Sequence, residues 1–208
     1  MNRFFLLSVI LLSACAATPA PSMREIVTIY STPAAEPWLY ETFTCANDRG
    51  IVLNVTADAP DISLRLGEPA TLAQPAFQID EEEILVVTHR ESPIQNLSLE
   101  GVQVLFAGRG DPSAQVWVYD SGSDVQLAFE ELAMNGRGVT TNARLATSPQ
   151  HMSDTLIAES NAVGILPRHW KLGDAREVFS AGTVPVLALT LEEPQGAVAQ
   201  LIACLQGN

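Results

Sequence analysis

Ile94-Gln95-Asn96-Leu97-Ser98-Leu99-Glu100-Gly101-Val102-Gln103-Val104-Leu105-Phe106-Ala107-Gly108 is the stretch from which the rest of the chain can be ordered. It reads as a short helix over 98–106, with Ser98 or Asn96 as its N-cap, because a small polar side chain there can accept the first free backbone N–H. On its N-terminal side lies an apolar strand, Glu83-Ile-Leu-Val-Val-Thr88, preceded by the acidic run Asp80–Glu83, which reads as the solvated start of that strand. On its C-terminal side Gln115-Val-Trp-Val-Tyr119 is a strand. Asp120-Ser121-Gly122-Ser123 is then a tight turn, and 124–134 an amphipathic helix. Further out, strands are expected at 25–30, 51–56, 61–66, 161–166 and 183–190, and helices at 34–47, 148–160 and 194–205, with a loop over 67–75. Strands that alternate with helices describe an α/β chain with largely parallel sheets.

The 208 residues carry a formal charge of −13 at pH 7, and Lys171 is the only lysine. Binding to nucleic acid needs a basic footprint that displaces counterions from phosphates. This chain has no basic run, so no nucleic acid partner is expected. The same acidity opposes docking on anionic headgroups. His89, His151 and His169 stand alone, without a Cys, Asp or Glu at ligand spacing, so neither metal nor cofactor is expected. Ser121 lies in Asp-Ser-Gly-Ser-Asp and not in a Gly-x-Ser-x-Gly elbow, and no catalytic residue is assigned. Trp170, after Pro167-Arg168-His169, is retained as a candidate cleft residue.

The N-terminus carries a different kind of signal. Arg3 precedes an uncharged apolar run from Phe4 to Leu12, too short for a spanning helix of about 20 residues, so residues 1–14 read as an export signal. Leu12-Ser13-Ala14-Cys15 resembles the lipobox of bacterial lipoproteins, which implies that Cys15 is lipidated and anchors the chain on the extracytoplasmic face of a bacterial membrane; the alternative is an ordinary signal peptide. Residues 15–23 are small and proline-rich and read as a tether. Cys45 and Cys204 remain. In an oxidising compartment they read as a disulfide, and otherwise as two buried free thiols.

Several segments together resemble the substrate-binding proteins of ABC transporters, in the phosphate-binding-protein-like branch of the type 2 periplasmic-binding fold. Ile94–Gly108 is similar to the Pro-Val-x-Asn-Leu-Thr-x-x-Gln-Leu-x-x-Ile-Phe-x-Gly segment of that branch's second lobe. Ile26-Val-Thr-Ile-Tyr-Ser31-Thr32 resembles its opening strand and turn, and Asp61-Ile-Ser63-Leu-Arg65 its Asp-Ile strand. Asp120–Ser123 with the helix after it resembles the Ser-Gly-Ser-Gly-Thr turn, and Asn161–Leu166 a late strand of the second lobe. The resemblance implies two α/β lobes, the first abbreviated between Asp61 and Gln78. Lobe one comprises 24–87 and 188–208, and lobe two comprises 88–187. It would bring the helices of Cys45 and Cys204 into one lobe.

In such a fold, turns that open helices present N–H groups and a positive dipole end. Ser31 and Thr32 from one lobe would then face Ser121, Gly122 and Ser123 from the other, with Arg65 as the cleft cation. The same hydroxyls serve equally as N-caps, and Arg65 equally as a surface arginine. Where the family has Gly-Thr this chain has Asp124-Val125, and Tyr119-Asp120 replaces a basic residue. A carboxylate at about 4 Å and an effective dielectric near 20 opposes an anion by on the order of 4 kcal/mol. The expected function is capture of a small polar solute, an oxyanion such as phosphate being one candidate, for an ABC permease and without chemistry. The alternative is an interaction or sensor module with a degenerate pocket.

Overall fold

Strand β1 (Ile26–Ser31) buries Val27 and Ile29 while its alternate residues face outward, and it pairs in parallel with β2 (Val52–Val55) on one side and β3 (Ile62–Leu66) on the other. Between β1 and β2 the chain makes a 3-10 turn at Pro33–Ala35 and then α1 (Pro37–Arg49). Gly50, at φ 69°, ends α1 in the left-handed conformation that a Cβ disfavours, and its N–H closes on the carbonyls of Ala46 and Asn47. The computed structural model describes residues 24–207. The export segment, Cys15 and the tether lie outside these residues.

No helix separates β3 from β4 (Ala76–Thr88), which is the abbreviation expected of the first lobe. Next comes α2 (Leu99–Phe106), capped by Ser98 and not Asn96: the Ser98 hydroxyl accepts the Gly101 N–H at 3.1 Å. The chain continues through β5 (Gln115–Val118), α3 (Asp124–Leu132), β6 (Arg144–Leu145), α4 (Pro149–Ala158) and β7 (Ala162–Pro167). It ends in β8 (Arg176–Thr190) and α5 (Gly196–Leu205). Among the described residues no helix is long and apolar enough to cross a membrane.

The strands form one hydrogen-bonded sheet in the order β2-β1-β3-β8-β4-β7-β5-β6. Its flanks are parallel, as expected from alternating strands and helices, but β3–β8, β8–β4 and β4–β7 are antiparallel. The physical reason is that β4 and β8 are the two passes between lobes. One leaves lobe one and the other returns to it, so they run in opposite directions.

Partner exchange along these two strands marks the lobes. Val186–Thr190 of β8 bond to β3, and Ile84–Thr88 of β4 bond to β7; between those stretches β4 and β8 bond only to each other. The expected limits at 87/88 and 187/188 thus fall inside continuous strands, a few residues beyond this two-stranded neck. The acidic run also differs from expectation. It lies within β4, Glu82 is only 1 % exposed, and its carboxylate meets His169 Nδ1 at 2.6 Å.

Lobe two closes over α2 and α3, whose Phe106 and Phe129 rings stand 4.7 Å apart and are wholly buried. In lobe one α5 packs on α1 and joins it covalently: Cys45 and Cys204 form a disulfide with their Cα atoms 6.0 Å apart.

Candidate functional site

A cleft of about 470 Å³ opens where the end of β1 faces the N-termini of α3 and α4. Lobe one supplies Tyr30, Thr32, Pro33 and Ala34, while lobe two supplies 119–120, 122–125 and 145–149. Local chemistry explains the convergence. β1 must stop at Pro33, which cannot donate to a ladder, and the Thr32 hydroxyl caps the following turn by accepting the Ala35 N–H at 3.4 Å. Across the cleft the Asp120 carboxylate accepts the Gly122 N–H at 2.9 Å, an Asx-turn that hands the chain to α3.

Ser123 is the N-cap of α3 by position but makes no capping side-chain bond, so its hydroxyl is left to the cleft. Ser148 does cap α4, accepting the His151 N–H at 3.1 Å. The Tyr119 hydroxyl donates to the Ile165 carbonyl at 3.0 Å. Burial, reinforced by the charge of Asp124, holds it protonated well beyond the ordinary phenol range.

Asp124 is the centre of the arrangement. It is 6 % exposed, yet its Oδ2 reaches across to lobe one, accepting the Thr32 hydroxyl at 2.6 Å and the Leu66 N–H at 3.0 Å. Its Oδ1 accepts the Val125 N–H at 3.0 Å. The short hydroxyl contact is a charge-assisted hydrogen bond.

Of the residues expected at the site, Thr32, Gly122 and Ser123 line the cleft together. Ser31, Ser121 and Arg65 do not. Ser31 turns its hydroxyl onto the Thr32 carbonyl at 2.9 Å, and Ser121 is solvent-exposed and absent from the lining. Arg65 lies along its own strand end, with Nε donating to the Gly67 carbonyl at 3.0 Å, and is not among the residues that line the cleft. Trp170 is not in the lining either; its indole N–H donates to the carbonyl of Ala34 behind it at 3.0 Å. Among the described residues no lysine, arginine or histidine lines the cleft, whereas two aspartates do. Sequence reasoning missed Tyr30 and the wall at 145–149. Ser148 before Pro149 announced a helix start, but nothing local says that this start faces Thr32.

No family model matches the chain, and no curated protein matches it by sequence. Solved structures do match in fold. A protein from Clostridium perfringens, described as a phosphate ABC transporter substrate-binding protein and seen with bound phosphate, superimposes with a TM-score of 0.77 at 14% identity, over 87% of this chain and 93% of its own. An ABC-type phosphate transport receptor from Vibrio cholerae gives 0.67 at 16% identity, over 86% and 93%. The regulatory domain of OxyR2 from Vibrio vulnificus, in its reduced form, gives 0.68 at 12% identity, over 92% and 99%. The chain has the two-lobed type 2 periplasmic-binding-protein fold, with an abbreviated first lobe.

Proposed function

We propose that this protein is a solute-binding lipoprotein, held by lipid at Cys15 on the extracytoplasmic face of a bacterial membrane, which captures a small polar solute between its lobes for an ABC permease. The observation that carries the reading is the interlobe cleft. Thr32 arrives from one lobe and Gly122 and the uncapped Ser123 hydroxyl from the other, in a space large enough for a small molecule. Binding proteins among the structures of the same fold support it. The reading is of binding and involves no reaction.

One preparation tests both parts. A Cys15→Ser chain should appear in the soluble fraction; retention with membranes would remove the anchor from the proposal. A thermal-shift screen of oxyanions, amino acids, amines and sugars on that chain should yield a hit. A solute at 100 times its Kd stabilises by about 2.7 kcal/mol, and Ser123→Ala should diminish the shift. An empty screen, or a hit indifferent to Ser123→Ala and to Thr32→Val, would favour an interaction or sensor module of the same fold.

A further inference from the structure

Three donors converge on one buried carboxylate at the meeting point of the lobes. The Thr32 hydroxyl and the Leu66 N–H come from lobe one, and the Val125 N–H comes from the first turn of α3. Hydroxyl and amide donors at the positive end of a helix are the groups that ordinarily hold a bound oxyanion. Here they are already satisfied by the side chain of Asp124, which is 6 % exposed.

We propose that Asp124 is the specificity determinant of the cleft: its carboxylate takes the place of a bound oxyanion, so the site rejects ionised oxyanions and admits a neutral or cationic solute. This rests on the binding reading of the same cleft. A second anion brought against these donors would stand beside the Asp124 carboxylate with no cation in the lining to offset it. One unit charge at about 4 Å and an effective dielectric near 20 weakens anion binding by on the order of a thousand-fold. The Asp120 carboxylate, at the rim of the same cleft, adds to the repulsion. It also gives a cationic or hydrogen-bond-donating solute an acceptor that Asp124, with its donors in place, offers less readily.

The test is calorimetric titration of the full-length chain in detergent with inorganic phosphate and with sulfate. Wild type should bind neither. Asp124→Gly, which empties the donor set, should bind phosphate about a thousand-fold more tightly than wild type, and adding Thr32→Val should abolish the gain. Because Asp124 is buried and bonded to both lobes, Asp124→Gly can fail to fold; Asp124→Asn, with the same volume and no charge, then carries the test and should also gain affinity. Submillimolar phosphate binding by wild type that Thr32→Val removes would overturn the proposal without any change at residue 124. Folded Asp124 variants that gain nothing would overturn it too. An empty solute screen would sink the capture function alone, since the phosphate gain is read from a different experiment.

Discussion

Glu82 is an acid in the middle of a strand, turned inward by the two-residue alternation of β4 and left 1 % exposed. His169 Nδ1 meets its carboxylate at 2.6 Å, and the His169 ring packs on Trp38 at 4.7 Å between centroids. Burial pushes the Glu82 carboxyl above its usual 4.5, and the charge and hydrogen bond of His169 oppose that without reversing it. The native protein therefore keeps this proton at pH values where the unfolded chain has released it. Stability from this group is fully present below about 4.5 and is lost as pH rises through the raised native value. Glu82→Gln should flatten that slope, so urea midpoints at the two ends of the window should move closer together than in wild type. An unchanged slope would assign the pH dependence elsewhere. The sequence showed four acids in a row and suggested a solvated run. What it did not show were their partners: Trp38 Nε1 on Asp80, His169 on Glu82, and Arg168 with Ser180 on Glu83. All lie tens of residues away along the chain, where no local pattern reaches. The turn hydroxyls Thr32 and Ser123 were legible because their setting is local; the grip of Asp124 on the opposite lobe was not.

The helices, and the short strands other than the two-residue β6, were read nearly to their ends, since caps, Pro and Gly mark them within a few residues: Ser98 begins α2, Gly50 ends α1 and Pro149 opens α4. The long strands were only half read. In β4 and β8 the apolar halves, 84–88 and 184–190, gave a strand pattern, while 76–83 and 176–183 are polar or mixed because they lie in the neck or at the sheet's exposed margins. Just beyond the neck, β4–β8 pairing is interrupted between Ile84↔Gly182 and Leu85↔Ser180, a bulge that places an extra residue in β8. Gly182 has φ 132°, a conformation that side chains with a Cβ rarely adopt, while an added Cβ would meet Leu132 Cδ2 only at an ordinary 3.5 Å. The cost of Gly182→Ala is thus conformational, about 1–3 kcal/mol. A urea titration should show a lower midpoint with the same slope, and an unmoved midpoint would mean the bulge relaxes freely.

For the molecule as a whole, the two-lobed α/β plan was legible from the order of weak matches along the chain, anchored by Ile94–Gly108. The antiparallel centre was not, because strand direction depends on which lobe the chain is leaving. The Cys45–Cys204 bond ties α1 to α5 within lobe one and closes a loop with a sequence separation of 159 that contains both passes through the neck. On the chain-entropy model such a loop contributes roughly 5 kcal/mol at most. Unreduced protein should present no alkylatable thiol at either position, and reductant or the double Cys→Ser variant should lower the urea midpoint; equal midpoints would show the bond to be energetically idle. The ring also has a mechanical meaning. Grip the chain by its two ends and pull, and only the 44 residues before Cys45 and the 4 after Cys204 can lengthen. Roughly 550 Å of contour, at about 3.5 Å per residue, stays locked inside the ring. Tension between the ends then runs through the lobe-one wall of the cleft to Cys45 and crosses to Cys204 through a single sulfur–sulfur bond, leaving lobe two outside the path.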